Sequence, residues 1–425
     1  MKYASPARQE NKQRVNKFEC VEYYTGTRIK MEVYLDNSAT TKITDRTRNL
    51  MLQALSEDYG NPSSMHRMGV KAEQYMKKAA DNIAACLKVE PREIIFTSGG
   101  TEANNLALIG TALANRRRGN HIITTRIEHP SVHQPLVYLE ENGFEVSFAP
   151  VDGTGRLMKD RLYDLIRDNT LLVSAMYVNN EIGAVQDIAE IAAELKKRKK
   201  DIIFHVDATQ AFGKYRIYPK REGIDLLSFS GHKIHGPKGI GALYASDKVK
   251  LSPILFGGGH QRGLRSGTEN VPAIAGLGQA VVEAYQDFEE KNARMYGLKQ
   301  RFLREVSKIE GVTVNGLPKE CTPEFELEQI KKTAPHIMNV SFSGIKSEVL
   351  LHSLEDRGIY VSAGSACSSH HPTPSVTLTA IGLDKNLLDS TLRFSMSDLT
   401  TAEEIEYTLE QLKDLVPKLR RYTRK

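Results

Sequence analysis

The amino-acid sequence predicts an α/β protein, with a large domain built on a mostly parallel sheet covered by helices and a smaller α+β domain. Three observations support this fold class. Short apolar runs alternate with helical patterns from residue 31 to about residue 284, the pattern changes after that point, and 425 residues exceed what a single core normally accommodates. We therefore expect residues 46–284 to form the large domain, and residues 31–45 with 285–425 to form the small domain.

The large domain is predicted to contain short strands that alternate with helices. Apolar runs predict strands over residues 93–97, 121–125, 145–149, 171–177, 202–206 and 226–230. Helical periodicity predicts helices over residues 101–116, 132–142, 158–167 and 188–199. Strands and helices in this alternation form parallel sheets, and the ligands of such sheets bind outside the carboxyl ends of the strands.

The small domain is predicted to begin with a long charged helix over about residues 286–310. Strands at 337–342 and 359–362 follow, and a terminal helix starts at Ala402. We expect the strand near Tyr34 to complete this domain.

The composition is that of a soluble globular protein, with 40% hydrophobic and 26% charged residues. No apolar stretch approaches the roughly 20 residues that span a bilayer, and no secretory signal is evident at the amino terminus. Residues 1–30 hold seven Lys or Arg against three Glu, so only two charges of the net +6 remain for the rest of the chain. We therefore expect a cytoplasmic protein without a membrane segment or a direct nucleic-acid interface.

Residues 1–30 lack sustained periodicity and are predicted to be a disordered extension. Because Met31 opens the first strand-like segment, we expect translation to start there. Terminal sequencing of the native protein that recovers earlier residues would contradict this expectation.

A lysine and a carboxylate follow two of the predicted strands. The apolar run 224–229 ends in Ser230-Gly231-His232-Lys233, and the run 202–204 leads to Asp207. Taken alone, Asp207 would cap the next helix and Lys233 would be solvated. Together they favour pyridoxal phosphate, which needs a lysine for its Schiff base and an acid to keep its ring nitrogen protonated.

The turn after the strand at 94–97 is a candidate phosphate site. It reads Ser98-Gly99-Gly100-Thr101 and leads into a helical pattern. Glycines let the backbone approach an anion, and a helix start offers free N–H donors. Alone this signal is weak, because many turns between strands and helices are rich in glycine.

His129 and Cys367 are the remaining candidates for chemistry. His129 lies between a strand and a helix, either as a packed residue or as an imidazole stacked on the pyridine ring. Cys367 lies in a small, polar stretch, which suits a thiol that must reach a substrate. Cys20, Cys86 and Cys321 give no comparable signal, and the four cysteines show neither disulfide nor zinc spacing.

A long ordered set of motifs between about residues 32 and 412 resembles the group I cysteine desulfurases, the NifS and IscS type, of the class V aminotransferase superfamily. The motifs are Tyr-Leu-Asp-Asn-Ser-Ala-Thr-Thr from Tyr34, Asn-Pro-Ser-Ser-Met-His from Asn61, Thr-Ser-Gly-Gly-Thr-Glu-Ala-Asn-Asn from Thr97, Glu-His-Pro-Ser from Glu128, Asn-Asn-Glu-Ile-Gly from Asn179, His-Val-Asp-Ala-Thr-Gln from His205, Ser-Gly-His-Lys from Ser230, Arg-Ser-Gly-Thr-Glu-Asn from Arg265 and Gly-Ser-Ala-Cys-Ser-Ser from Gly364.

This resemblance implies a homodimeric fold type I transferase that uses pyridoxal 5'-phosphate to remove sulfur from L-cysteine. It implies that Lys233 bonds the cofactor, that Asp207 pairs with its ring nitrogen, that His129 stacks on the ring and that Gln210 contacts the phenolic oxygen. The phosphate would be held by Gly100, Thr101, Ser230, Gly231 and His232, with Thr268 reaching over from the other subunit. The substrate carboxylate would be bound by Asn180 and Arg393, whose planar fork suits a carboxylate.

The same resemblance makes Cys367 the nucleophile that becomes a persulfide. The products would be L-alanine and sulfur for acceptor proteins of iron–sulfur cluster assembly or tRNA thiolation. His129, His370 and His371 are candidates to assist the thiol, and only His129 belongs to a family motif. Cys367 with His370 and His371 could also ligate a metal, but a closed site needs a fourth ligand, so we expect no metal.

Other functions remain open at this point. One is selenocysteine lyase or another class V aminotransferase chemistry, although transamination does not need a dedicated sulfur-transfer thiol. Another is a non-catalytic scaffold that retains the fold. The sequence identifies neither the sulfur acceptor nor the preference between cysteine and selenocysteine.

Overall fold

The structure, a computed structural model, describes residues 31–321, 324–363 and 374–423. The extension 1–30 and the predicted site residues Cys367, His370 and His371 lie outside these ranges. Within the described ranges, no helix has the length and apolar character needed to cross a bilayer.

The described residues form thirteen strands. They are β1 Val33–Tyr34, β2 Ile94–Thr97, β3 His121–Thr125, β4 Glu145–Ala149, β5 Thr170–Met176, β6 Ile203–Asp207, β7 Leu226–Ser230, β8 Gly241–Ala245, β9 Val312–Asn315, β10 Ile337–Phe342, β11 Ile359–Tyr360, β12 Ser362–Ala363 and β13 Thr391–Ser395.

Fifteen α-helices lie in the same part of the chain. They are α1 Asp45–Ser56, α2 Arg67–Leu87, α3 Gly100–Asn105, α4 Thr111–Asn115, α5 Pro130–Glu141, α6 Lys159–Asp164, α7 Ile188–Arg198, α8 Pro219–Glu222, α9 Val271–Tyr285, α10 Phe288–Val306, α11 Leu327–Ile330, α12 Ser347–Glu355, α13 Val376–Ala380, α14 Lys385–Leu388 and α15 Ala402–Thr423.

Seven strands form one large sheet in the order β2-β8-β7-β6-β5-β3-β4. The pairs from β7 through β4 are parallel, and β8 runs antiparallel to both of its neighbours. The carboxyl ends of β5, β6 and β7 therefore lie side by side at one edge of the sheet. This sheet, with helices packed on it, confirms the predicted fold class.

Both faces of the large sheet are buried along its central strands. Neighbouring residues of one strand point to opposite faces, and in each of four strands they join two different apolar clusters. The four pairs are Ile122 and Ile123, Leu172 and Val173, Ile203 and Phe204, and Leu226 and Leu227. Burial on both faces explains why these strands are nearly continuous apolar runs rather than alternating ones.

A second sheet contains β12, β13, β10 and β9 in antiparallel order. Its core includes Phe302, Phe342 and Phe394, and Val33 and Leu35 join the same cluster from the start of the described chain. β1 pairs in parallel with β11, so the chain near Tyr34 packs beside residues 359–360. The domain limits proposed from the sequence, 46–284 and 31–45 with 285–425, stay a prediction.

Two predicted elements differ from the structure in more than their end residues. The helix predicted over 101–116 is divided into α3 and α4 by a π-helical turn over Leu106–Gly110. The Gly110 carbonyl, at the end of this turn, accepts a hydrogen bond from the Ser252 backbone at 3.0 Å, so the turn contacts a segment that is distant in the chain. The strand predicted over 359–362 is two strands, because β11 pairs with β1 whereas β12 pairs with β13.

Helices α2 and α9 approach each other closely because of a glycine. A Cβ atom on Gly278 would lie 2.6 Å from Ala79 Cα and 2.7 Å from Ala79 Cβ. Such distances are far below van der Waals contact, so any side chain at position 278 would push the two helices apart.

We expect Gly278→Ala to destabilise the protein by about 1–3 kcal/mol through this overpacking. Gly297 is a matched control, since it lies in the exposed part of α10 with open space around its Cα. Gly297→Ala should leave stability unchanged or raise it by up to about 1 kcal/mol, because alanine favours helix. Thermal denaturation followed by circular dichroism measures both, and equal midpoints for the two variants would contradict the packing argument.

Candidate active site

A cavity of about 400 Å³ lies at the carboxyl edge of the large sheet. Met176, Asp207 and Ser230, the last residues of β5, β6 and β7, all line it. Ten of the predicted site residues line this cavity: Gly100, Thr101, His129, Asn180, Asp207, Gln210, Ser230, His232, Lys233 and Arg393. The structure therefore brings together residues from positions 100 to 393 of the chain.

Gly231 and Thr268 do not line the cavity. Gly231 is buried beside it, where an added Cβ would lie 3.0 Å from Ile240 Cγ2 and 3.1 Å from the Pro237 carbonyl oxygen. A side chain at position 231 would crowd these atoms, and the predicted contact of Gly231 with the phosphate stays a prediction. Thr268 is exposed, and its predicted contact was with the cavity of another subunit.

One end of the cavity has the donors of an anion site. α3 starts at Gly100 directly at this end, and residues with hydroxyl groups surround it: Thr101, Thr209 and Ser230. A Cβ on Gly100 would lie 3.0 Å from Thr209 Oγ1, so only glycine leaves this cradle open. The neighbouring strand β8 also needs a glycine here, because a Cβ on Gly241 would lie 2.7 Å from the Gly99 carbonyl carbon.

His232 completes this end of the cavity. Its Nδ1 is buried and finds no hydrogen-bond partner in the described part of the chain. Burial, with Lys233 and Lys238 nearby, lowers the pKa of His232 to about 4, so the ring is neutral near pH 7. A buried ring nitrogen without a partner is what a bound phosphate could satisfy.

Asp207 is a buried carboxylate at the end of β6. Its Oδ2 accepts a hydrogen bond from Asn104 Nδ2 at 2.8 Å, and its Oδ1 accepts one from the Thr209 backbone at 2.9 Å. The same Asn104 amide donates to Ser131 Oγ at 2.9 Å. These bonds fix the carboxylate toward the cavity.

Ser131 in turn fixes His129. The Ser131 backbone N–H donates to His129 Nδ1 at 3.1 Å, and Ser131 Oγ lies 2.8 Å from the same nitrogen. Nδ1 is therefore an acceptor and the proton lies on Nε2. The protein atoms packed around the ring lower the pKa of His129. Asp207 opposes this shift and Lys233 adds to it. The side chain is nevertheless exposed to the cavity.

Lys233 follows β7 in a short turn and reaches across the cavity to the segment after β1. Its Nζ donates to the carbonyl oxygens of Ser38 and, at 2.8 Å, of Ala39. Gln210 Nε2 donates to the same Ser38 carbonyl at 3.0 Å. Two predicted cofactor residues thus share one backbone acceptor.

Arg393, on β13, also lines the cavity. It donates through Nη1 to the Asn180 carbonyl at 2.8 Å and through Nη2 to Asp36 Oδ1 at 2.9 Å. Its Nε is buried and has no hydrogen-bond partner among the described residues. The guanidinium is therefore held in place while part of its donor set stays available, which suits a carboxylate ligand.

Several residues of the site were not predicted: Asp36, Ser38, Asn104, Ser131 and Thr209. Each lies inside a motif quoted above, but none carries a signal of its own. Asn104 and Ser131 act through other side chains, and Ser38 acts through its carbonyl, so composition and spacing do not distinguish them.

Glu128, beside His129, is a further residue that sequence reasoning missed. Burial raises its pKa to about 8, with a contribution from Asp207. Its Oε1 accepts hydrogen bonds from Thr125 Oγ1 at 2.6 Å and from the Met176 backbone at 2.9 Å. Near pH 7 this group is a neutral acid that joins β3 to β5 below the cavity.

The predicted nucleophile Cys367 lies outside the described residues. Ser362 of β12 lines the cavity and is paired with Arg393, and the described chain stops one residue later. Burial raises the pKa of Cys86 to about 11 and that of Cys321 above its usual value. In the described ranges, no group of three His, Cys, Asp or Glu side chains is arranged to hold a metal ion.

The cavity fits pyridoxal phosphate. The cradle at Gly100 and the free nitrogen of His232 suit a phosphate, and the fixed carboxylate of Asp207 suits a protonated pyridine nitrogen. Lys233 supplies an amine to the same cavity.

The profile of the class-V aminotransferases matches residues 33–408 of this chain. A cysteine desulfurase IscS of Salmonella paratyphi B is 44% identical over 397 residues, which cover 92% of this chain and 94% of the relative. A cysteine desulfurase IscS of Pseudoalteromonas translucida is 42% identical over 398 residues, with the same coverage of both chains.

Solved structures are similar too. A NifS-like protein superimposes with a TM-score of 0.84 at 36% identity, covering 92% of this chain and 100% of its own. SspA in complex with cysteine superimposes with a TM-score of 0.71 at 34% identity, covering 87% and 100%. The chain therefore belongs to the class-V aminotransferase family, among its NifS- and IscS-like cysteine desulfurases.

Proposed function

We propose that this protein is a cysteine desulfurase that depends on pyridoxal 5'-phosphate. It takes sulfur from L-cysteine, releases L-alanine and carries the sulfur as a persulfide on Cys367. The observation that carries this proposal is the single cavity lined by Lys233, Asp207 and Arg393. An amine, an acid and a carboxylate-binding cation in one cavity suit an amino-acid substrate and this cofactor.

The cofactor, when bound, withdraws electrons from the substrate amino acid and so makes its Cα–H and Cβ–S bonds easier to break. Lys233 would hold it covalently, Asp207 would keep the proton on its ring nitrogen, and Gln210 would contact its phenolic oxygen. Gly100, Thr101, Ser230 and His232 would bind the phosphate.

The substrate would be oriented by its carboxylate. Arg393 and Asn180 lie together on the side of the cavity formed by β13 and the segment after β5. Binding there would orient the substrate, whose amine would replace Lys233 at the cofactor, and the released Nζ would then take the proton from the substrate's Cα. His129 would stack on the ring, and its Nε2–H would donate to a group bound in the cavity.

Cys367 would act as a thiolate on the substrate's sulfur. A new S–S bond forms as the Cβ–S bond breaks, the electron pair of the broken bond stays with the carbon, and protonation of that carbon gives alanine. Because an ordinary thiol is only a few per cent ionised near neutrality, a local positive field would assist this step. His129 is less suited to be its base, because its Nδ1 is occupied by the Ser131 N–H.

The proposal includes a homodimer, with Thr268 reaching the phosphate site of the partner subunit. It is supported by the exposure of large apolar side chains near that segment and near α2, such as Phe256 at 81% and Met65 at 98%. The proposal also includes a cytoplasmic location, since a reducing compartment keeps the working thiol free. Acceptor proteins for iron–sulfur assembly or tRNA thiolation would receive the sulfur.

The first test is the visible absorbance of the bound cofactor. Wild type incubated with pyridoxal phosphate should gain an absorbance band at about 400 nm, of the kind given by a cofactor bonded to lysine. Lys233→Ala should lack it because the bonded amine is gone. A wild type that stays colourless would favour a non-catalytic scaffold instead.

The second test concerns the thiol. Cys367→Ala should keep the absorbance band and bind L-cysteine, yet release sulfide or persulfide at least about 100-fold more slowly, because the nucleophile is missing. Cys86→Ala is the matched control, since its half-buried thiol is protonated at neutral pH and should leave sulfur release unchanged. Full turnover by Cys367→Ala would remove the role assigned to Cys367.

The third test concerns the substrate carboxylate. Arg393→Lys should raise KM for L-cysteine about 30- to 100-fold, because lysine cannot replace a bidentate guanidinium, and should affect kcat less. Arg301→Lys, at an exposed ion pair with Glu406, is the control and should leave KM unchanged. Alanine formation at varied cysteine concentration measures both constants, and an unchanged KM in Arg393→Lys would contradict the assignment.

A further inference from the structure

His336 is a buried histidine directly behind the cavity. It precedes β10, is 3% exposed and does not line the cavity itself. Its Nε2 lies 3.2 Å from Gln210 Oε1, in a hydrogen bond that is buried. Gln210 does line the cavity, so His336 contacts a cavity-lining residue from within the protein core.

The orientation of the Gln210 amide follows from its other contact. Gln210 Nε2 lies 3.0 Å from the Ser38 carbonyl oxygen, which can only accept a hydrogen bond. The amide NH₂ must therefore face Ser38, and Oε1 must face His336. Since Oε1 only accepts, the proton of His336 must lie on Nε2.

His336 carries a single ring proton. Burial lowers its pKa well below the usual value, and the surrounding cations Lys214, Lys299, Arg393 and Lys233 lower it further. Its Nδ1 is buried and has no hydrogen-bond partner among residues that the structure describes. The one proton of the neutral ring is thus committed to Gln210.

The turn that carries His336 is itself restrained. Lys299, which is 1% exposed, donates to Thr333 Oγ1 and to the Ala334 carbonyl at 2.7 Å each, and to the Ile337 carbonyl at 2.8 Å. The two bonds to carbonyl oxygens hold the backbone on both sides of His336. A restrained donor can fix the group that it contacts.

We propose that His336 is a positioning residue that fixes the Gln210 amide so that its second N–H is available to the bound cofactor. This inference rests on the proposed function, in which Gln210 contacts the phenolic oxygen of pyridoxal phosphate. Without the His336 donor, the amide loses its buried partner at Oε1 and can turn its oxygen toward the cavity. An oxygen there would face another oxygen and weaken cofactor binding.

A purely structural role for His336 would affect stability but not the electronic state of the cofactor. The absorbance maximum of bound pyridoxal phosphate depends on hydrogen bonds to its phenolic oxygen, whereas the thermal midpoint does not depend on them specifically. These two readouts, with the affinity of the apo-protein for the cofactor, therefore separate the two roles.

The experiment compares His336→Leu, Gln210→Leu, the double variant and His336→Gln. His336→Leu should raise the Kd for pyridoxal phosphate about fivefold and move the absorbance maximum in the same direction as Gln210→Leu. In the double variant the absorbance maximum should move no further than in either single variant, because both substitutions remove the same interaction. His336→Gln should restore the wild-type maximum, since its side-chain amide also donates.

His121→Leu is the matched control. His121 is fully buried and hydrogen-bonded to Thr170 and Ser147, but it does not line or adjoin the cofactor wall. The His121→Leu variant should have a lower thermal midpoint and an unchanged absorbance maximum of the bound cofactor. If His336→Leu does not fold, His336→Asn serves instead, because its shorter amide cannot reach Gln210 and the same displacement is expected.

If the wild type binds the cofactor and a folded His336 variant has the same absorbance maximum and the same Kd for pyridoxal phosphate, this inference is overturned but the proposed function is not. Additive displacements in the double variant would overturn it as well. A wild type that never binds pyridoxal phosphate would instead overturn the proposed function.

Discussion

A parallel sheet that is buried on both faces confines polar chemistry to the ends of its strands. Helices cover the two faces of the large sheet, and its strand interiors are accordingly apolar. Asp207, Ser230 and Met176 reach the cavity because each is the last residue of a strand. The common edge of β5, β6 and β7 thus brings together residues that are distant in the sequence. The other features of the site depend on this edge.

This constraint explains what the sequence could predict. Strands at 121–125, 145–149 and 226–230 agree with the structure. The first and the last are buried along their whole length and are mainly apolar or β-branched, whereas 145–149 at the sheet edge is partly exposed. Asp207 and Lys233 could be predicted because each follows an apolar run. The helix over 101–116 was predicted without its π-helical turn, because the residue that contacts this turn, Ser252, is distant in the chain. Asn104 and Ser131 were not identified, because a residue that orients another side chain leaves no local pattern. The position of Cys367 relative to the cavity stays a prediction.

The charges around the cavity have a consistent logic. His232 and His336 are held neutral by burial and nearby cations, the protein atoms around His129 lower its pKa against the effect of Asp207, and Glu128 is kept as a neutral acid. The charged groups that line the cavity are then Lys233 and Arg393 with Asp207 and Asp36. Each cation is tied to acceptors of the segment after β1 or to Asn180. Anionic parts of a ligand therefore meet fixed positive groups and neutral donors, rather than groups that must first change protonation.

The shared acceptor at Ser38 is a backbone carbonyl, and this has a consequence for how the protein can vary. Lys233 and Gln210 both donate to it, and Ala39 supplies a second carbonyl to the lysine. A main-chain oxygen is supplied by every amino acid, so mutational drift at positions 38 and 39 cannot delete these acceptors as long as the path of the chain persists. The position of the lysine amine is thereby fixed by the path of the backbone, and it does not depend on which side chains the facing segment carries.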